Sequence, residues 1–358
     1  HTEWSDGWGG QEIRIINESL ALKEKGAEIF IACRSHAKIS QKATEAGLNV
    51  VHFDFNSSHD VKTIFKLIKF IKKNKIDILN SHSGKDTWVG GLAAKLAGIK
   101  FIRTRHLSNK INPSRLNFIN SLADFIITTG ESVKEAMIEQ NRIDKNKILS
   151  IPTGIDEKKF DASLYDKDEC LAKFGLEKSK IYVGMLSVLR AFKRHDVFLE
   201  IALNIHADFK NVIFLIAGEG PQRKNLEAFI DKNNMSGYVK MLGHCDEPAK
   251  FLRVLDVFML ISDSGEGVPQ SLMQALLMNK ACIATDIGSI KDLYDGSNFS
   301  LVKFDKNEIE NALKELLLND TKRKEFENHS REFVKSNFTK DIMADKIYNI
   351  YKNILEKK

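Results

Sequence analysis

The stretch SDSGEGVPQSLMQALLMNKACIATDIGS, residues 262–289, sets one acid, Glu266, between two glycines just ahead of Pro269. An apolar run precedes it, and an apolar helical pattern starts near Pro269, a residue favoured at the first helical position. The amides of Gly267, Val268 and neighbouring residues would then be free donors at a helix N-terminus, which attracts phosphate or sugar oxygens. An ionised Glu266 accepts hydrogen bonds from hydroxyls. Gln274 lies roughly two turns further on and reaches the same ligand only if its helix lines the site. On these residues alone, a capped helix with a solvated acid is as good a reading.

A second group is SVLRAFKRHD, residues 187–196. Arg190 and Lys193 are close enough in sequence to converge on one anion, and a departing diphosphate needs such cationic stabilisation. Solvated charges opening a surface helix are the plainer alternative. In GWGGQE, Gly9 and Gly10 permit close backbone approach to a phosphate or sugar, or simply make a tight turn. His82 and His106 each end an apolar run, where doubly wound sheets place their ligands. Arg103 and Arg105 flank His106, and strand alternation lets at most one of them share its face.

These groups need elements to hold them. Short β-rich runs at 27–33, 49–54, 76–82, 99–106 and 124–129 alternate with amphipathic segments at 11–25, 60–75, 86–97 and 131–140. That alternation predicts a parallel sheet with crossover helices. The pattern breaks at SIPTGIDEKKF (150–160), a linker, and restarts with strands at 180–188, 211–218, 238–243, 256–262 and 280–285. Helices are expected at 194–208 and 221–234, and the tail from 306 reads as helical. The architecture expected is two doubly wound domains in tandem with the active cleft between them. Their bounds are 1–152, joined by a last helix at 340–358 that crosses back, and 153–339. The chain opens His1-Thr2-Glu3 straight into a glycine-rich turn, so the opening strand of the first sheet is expected to be missing.

With 358 residues, 43% hydrophobic and 28% charged, the chain has the make-up of a soluble two-domain protein. No apolar run approaches the ~20 residues of a membrane-spanning helix, and no basic-then-apolar signal peptide opens the chain. Four scattered cysteines without a CxxC pair argue for a reducing compartment and against a metal site. GxGxxG and GxxxxGK[ST] are absent, which argues against a dinucleotide or P-loop site. Charge is uneven: residues 1–150 carry 23 Lys+Arg against 16 Asp+Glu, the remainder 31 against 32. Lys62, Lys66, Lys69 and Lys73 recur on one helical face of 60–76, opposite Ile64, Ile68 and Ile71. An ordinary crossover helix looks like this, and so does a basic face for anionic lipid.

The residues quoted resemble the retaining glycosyltransferases of family 4, which have the GT-B fold. Residues 262–289 resemble the family's E-x7-E region. GWGGQEIRI, ADFIITTGESVKEAM, ILSIPTGIDEKKF, IAGEGPQRKNLE, KMLGHCDEPAKFLRVLDVFMLIS and ATDIGSIKDL resemble further blocks in the same order along essentially the whole chain. The resemblance implies that Glu266 contacts donor-sugar hydroxyls and that Gln274, standing where the family has a second acid, holds the ribose without a charge. It implies that Arg190 and Lys193 assist diphosphate departure, although in most members the Arg lies further upstream. Gly218, His244, Gly267, Val268 and Pro269 join the donor-binding set with Gly9 and Gly10. His106 falls beside the reaction centre, while His82, Arg103 and Arg105 face the acceptor.

The function implied is metal-independent, retaining transfer from a nucleotide sugar, such as a UDP- or GDP-sugar, to a glycan or lipid-linked acceptor. The setting implied is bacterial lipopolysaccharide or surface-polysaccharide assembly. No cofactor and no nucleic-acid partner are expected. The location expected is the cytoplasm, with 60–76 touching the inner face of the membrane. A GT-B sugar-nucleotide epimerase or phosphorylase and a non-catalytic two-domain sugar-binding protein remain open.

Overall fold

The computed structural model describes residues 1–106 and 115–356. It divides into two compact units, His1–Gly154 with Lys340–Lys358, and Ile155–Thr339.

The first unit is a seven-stranded, wholly parallel sheet. Its strands are β1 (Thr2–Glu3), β2 (Phe30–Cys33), β3 (Asn49–His52), β4 (Ile78–Ser81), β5 (Lys100–Arg105), β6 (Phe125–Thr128) and β7 (Ile148–Ser150). Their order is β3-β2-β1-β4-β5-β6-β7. The direction of winding reverses between β1 and β4. β1 is a two-residue inner strand of the sheet, Thr2 paired with both Ala32 and Ser81.

Helices cover both faces. On one side, α1 (Gly10–Glu24), α2 (Lys38–Glu45) and the last helix of the chain bury Ile15, Ile16 and Ile39 with Met343, Ile347 and Ile350. On the other, α3 (Val61–Lys73) and α4 (Gly84–Ala97) bury Ile64, Leu67 and Ile71 with Val89, Ala93 and Phe101. In α3 the Asp60 carboxylate caps the helix by accepting the Thr63 amide at 3.0 Å. Ile64, Leu67 and Ile71 repeat at helical spacing and bury one stripe, which leaves Lys62, Lys66, Lys69 and Lys73 in solvent. Ile68 packs only partly. Phe65 also faces water, 66% exposed. Helix α5 (Glu131–Asn141) links β6 to β7.

The second unit begins with α6 (Lys167–Lys173) and is a six-stranded parallel sheet. Its strands are β8 (Ile181–Leu186), β9 (Val212–Ala217), β10 (Val239–Gly243), β11 (Val257–Leu260), β12 (Ala281–Thr285) and β13 (Ser300–Val302), ordered β10-β9-β8-β11-β12-β13. Winding reverses between β8 and β11. Buried strand residues such as Val257, Phe258, Met259 and Leu260 are apolar without alternation, as a sheet covered on both faces requires. The crossover helices are α7 (His195–Asp208), α8 (Arg223–Lys232), α9 (Pro248–Val254) and α10 (Gln270–Leu277), followed by α11 (Lys306–Leu318) and α12 (Asp320–Asn337). The chain then returns to the first unit as α13 (Lys340–Glu356).

Candidate active site

Ligands of doubly wound sheets bind at the carboxyl ends of the strands where the winding reverses. In the second unit that point lies between β8 and β11, and the loops leaving these strands carry Lys193 and Glu266.

After β8 the chain makes a short 3₁₀ turn, Ala191–Lys193, and enters α7 through Arg194 in the left-handed region (φ 39°). The Arg194 guanidinium donates to Asp196 at 2.8 Å and to Asp263 at 3.2 Å, and the Asp263 amide donates to the Phe192 carbonyl at 3.1 Å. These bonds staple the loop after β8 to the loop after β11. The Lys193 Nζ then lies 2.5 Å from Glu266 Oε1, with side chains 13% and 6% exposed. The Ser262 hydroxyl donates to the same oxygen. Glu266 Oε2 accepts no hydrogen bond among the described residues. Thus the solvated-acid reading of Glu266 fails. It is a buried carboxylate with one oxygen held internally and the other available.

Glycine supplies the clearance for this arrangement at two places that L-residues rarely occupy. Gly288 (φ 60°) lies so close under the Glu266 loop that an added Cβ would sit 2.1 Å from the Glu266 carbonyl oxygen. Gly218, after β9, has φ 145°, and an added Cβ would lie 1.9 Å from the Ser187 carbonyl oxygen. Gly218 is therefore needed by the loop that carries Lys193, whatever it does toward a ligand.

Other expected positions separate. Arg190 is exposed, pairs with no side chain among the described residues, and lines a hollow of about 470 Å³ with Phe192, Arg194, His195, Gln222 and Asp263. Lys193 is not among the residues lining that hollow, and its ammonium pairs with Glu266 instead. Pro269 is the residue before the helix, extended at ψ 123°, and Gln270 begins α10. The amides of Gly267 and Val268 donate to nothing among the described residues. Gln274 sits half-buried on α10 without a side-chain partner among the described residues. His244 is exposed beside Asp246, 3.2 Å away.

In the first unit the reversal lies between β1 and β4, and the polar groups collect there. Asp86, on the first turn of α4, accepts the amides of His82 (2.9 Å) and Ser83 (3.0 Å) and the Thr2 hydroxyl (3.1 Å). Glu3 accepts the Ser5 amide at 2.8 Å, the Ser83 hydroxyl at 2.6 Å and the Gln11 amide group. Burial, reinforced by the Asp86 charge, pushes the Glu3 carboxyl up to about 8. On this frame stand three imidazoles in a row: His1 Nδ1 is 2.8 Å from His82 Nε2, and His82 Nδ1 is 2.9 Å from His106 Nε2. Burial, with neighbouring arginines, holds His82 and His106 far below the usual histidine range, so both are neutral.

Arg103 departs from expectation. It is buried, and its Nη1 donates to the Ser83 carbonyl at 2.6 Å, so it braces the loop that carries His82. Arg105 is half-buried, with its pKa lowered by burial. The Gly9 amide is already taken by Glu12 Oε2 at 2.8 Å, while Gly10 opens α1. Sequence reasoning missed Ser262, Glu12, His1 and the buried His195, whose pKa burial lowers to about 4. Glu12, three residues after Gly9 at a helix start, carried a readable capping signal.

Two wholly parallel, doubly wound units, each with a polar cluster where its winding reverses, define a tandem Rossmann-like class. Residues 8–159 match the family described as Glycosyltransferase Family 4, and residues 166–333 match Glycosyl transferases group 1. The chain belongs to this family of GT-B glycosyltransferases. Over 255 residues it is 28% identical to an Escherichia coli UDP-Gal:alpha-D-GlcNAc-diphosphoundecaprenol alpha-1,3-galactosyltransferase, covering 66% of each chain. The fold is shared with a glycosyltransferase from Rickettsia africae (TM-score 0.90, 20% identity, 100% and 98% of the two chains). It is shared also with Anabaena HepE in complex with UDP and glucose (TM-score 0.85, 16% identity, 98% of each).

Proposed function

We propose that the protein transfers a sugar, with retention, from a nucleotide sugar to a lipid-linked or glycan acceptor in surface-polysaccharide assembly. The observation that carries this is the Lys193–Glu266 pair at the reversal point of the second sheet. A diphosphate supplies the anion that Lys193 now finds in Glu266, and donor hydroxyls supply the partners that Glu266 Oε2 lacks. Gln274 offers an uncharged acceptor and donor to the ribose. The sugar C1–O bond to the diphosphate breaks as the acceptor hydroxyl bonds to C1 on the same face. The hydroxyl proton passes to the leaving diphosphate. The UDP-using relative with a diphosphoundecaprenol-linked acceptor supports the substrate classes.

The test offers UDP- and GDP-sugars with a polyprenyl-diphosphate-linked sugar, with and without EDTA, and reads the anomeric configuration of the product by NMR. Retention at an undiminished rate in EDTA is expected. An inverted product overturns the mechanism. Binding without turnover turns the reading toward a sugar-binding protein.

We propose further that α3 meets anionic lipid. Its solvent face carries Lys62, Lys66, Lys69 and Lys73 around the exposed Phe65. Anionic lipid attracts each basic residue by about 1 kcal/mol near the surface. Replacing the four lysines with Gln is expected to lower binding to anionic vesicles by about 10²-fold or more, while donor hydrolysis stays unchanged. Equal sedimentation with anionic and neutral vesicles returns α3 to a plain crossover helix.

A further inference from the structure

The second unit carries a hollow of about 360 Å³ at the amino ends of β11 and β12, the end of the strands away from Lys193 and Glu266. Residues at α6, α9, α12 and the end of α10 wall it. Two of its cations have acids of their own: Lys167 Nζ lies 2.8 Å from Asp256 Oδ1, and Arg323 is bonded to Asp320. That leaves Arg253, Lys280 and Lys324 facing a single acid, Glu327, which pairs with nothing among the described residues. The hollow therefore holds two positive charges in excess.

These three cations have donors to spare. Lys280 is only 5% exposed, and its ammonium donates to the carbonyls of Leu255 (3.0 Å) and Arg253 (3.3 Å), closing the end of α9. An ammonium has three N–H groups, so one remains, and no carboxylate pairs with Lys280 among the described residues. The Nε of Arg253 donates to the Tyr165 carbonyl at 2.8 Å, while its two Nη groups, the fork that grips phosphate, have no partner among the described residues. Lys324 is exposed and equally unpaired there. Holding an uncompensated ammonium out of water is costly, and an anion that enters the hollow lowers that cost.

The hollow also has acceptors to spare. Asn279 Oδ1 is shut off from water and accepts no hydrogen bond in the structure. Burial pushes the Glu327 carboxyl up, against the pull of Lys280 and Arg323, and it too lacks a donor. Hydroxyl groups would satisfy both residues. The volume lies in the range of small-molecule sites, and a bare phosphate would leave most of it empty.

We propose that this hollow is a second ligand site, for the phosphate monoester of a polyhydroxylated compound such as a sugar. Arg253, Lys280 and Lys324 hold the dianion, and Asn279 and Glu327 accept the hydroxyls. All of these residues belong to the second unit, and the site stands whether or not the transfer reading does.

The experiment labels the full chain with ¹³C-methyl methionine, because Met278 lines the hollow. Met278→Leu assigns the signal. Glucose 6-phosphate is expected to shift the Met278 methyl saturably, and about tenfold more tightly than inorganic phosphate does, while glucose leaves it in place. The shift is expected to persist in excess UDP. A Met278 signal that glucose 6-phosphate does not move overturns the proposal. Equal affinity for inorganic phosphate overturns it too, since the hydroxyls are then not read, and displacement by UDP places the phosphate at the donor site instead. Lys324→Gln and Arg253→Gln are each expected to weaken binding about tenfold or more, the scale of one charge-assisted hydrogen bond. Unchanged affinity in both variants overturns the assignment. Lys280 also closes α9, so pH is its test. Burial, then Lys167 and Arg253, lower its pKa to about 8, against Asp256 and Glu327. A bound dianion keeps the proton on, so affinity is expected to hold between about pH 7 and 8 and to fall by up to about tenfold per unit above that. Affinity that stays level to about pH 10 takes Lys280 out of the site.

Discussion

Lys193→Ala is expected to lower transfer by about 10²- to 10³-fold, the scale of losing a preorganised group that meets developing charge. The same change removes one partner of a buried pair, which costs on the order of 3–5 kcal/mol because the other charge is left uncompensated. Glu266, with only Ser262 left on its held oxygen, is the group that suffers. The two effects separate in a double variant. Lys193→Ala with Glu266→Gln removes the stranded charge, so most of the thermal stability should return while transfer stays lost. Transfer within threefold of the parent in the single variant takes Lys193 out of the mechanism. Stability that stays depressed in the double variant shows that the pair was not its source.

Gly218→Ala carries the second large effect, and it acts through backbone alone. The methyl group would have to occupy space 1.9 Å from the Ser187 carbonyl oxygen, at a φ of 145° that is essentially restricted to glycine. Either Gly218 or the Ser187 loop must move. The Gly218 amide is itself tied to the Gly243 carbonyl at 2.7 Å, which leaves the loop as the softer partner. That loop leads to Lys193, and a shift of about 1 Å at a catalytic group costs on the order of 10²-fold in rate. Strain and lost bonds together amount to about 3 kcal/mol, or roughly 6–12 °C in the melting of a unit of this size. Calorimetry and transfer kinetics on the one variant check both numbers. A melting point within 1 °C of the parent means that the loop absorbs the methyl freely.

How far these features were readable in the sequence depended on whether they were local. The strand runs ending in His82, Thr129 and Thr285 were legible because a sheet covered on both faces demands near-continuous apolar residues, and the turn chemistry marks their ends. β13, only Ser300–Val302, was too short to show a period, and α2 and α9 have eight and seven residues. The site was legible as types but not as pairs. Nothing in the spacing of Lys193 and Glu266, 73 residues apart, says that they bond to each other. Nor does the alternation of Arg103 and Arg105 say that one is buried as a brace. Such outcomes depend on which loops the strand order brings side by side, a long-range property. The resemblance to family 4 supplied the order of the blocks, and the sheets supplied the meeting of their loops.

The return of α13 to the first unit has a consequence for how the molecule is made. Met343, Ile347 and Ile350 close the same apolar layer as Ile15, Ile16 and Ile39. A chain growing on the ribosome must therefore synthesise the whole second unit, about 185 residues, before that layer is finished. At about 5–20 residues per second the delay is roughly 10–40 s. Through that interval the nascent first unit shows an open greasy face to the chaperones and to other nascent chains, while the second unit can fold at once as an unbroken stretch. Early termination near residue 339 would give a protein whose last-made half is sound and whose first-made half is not.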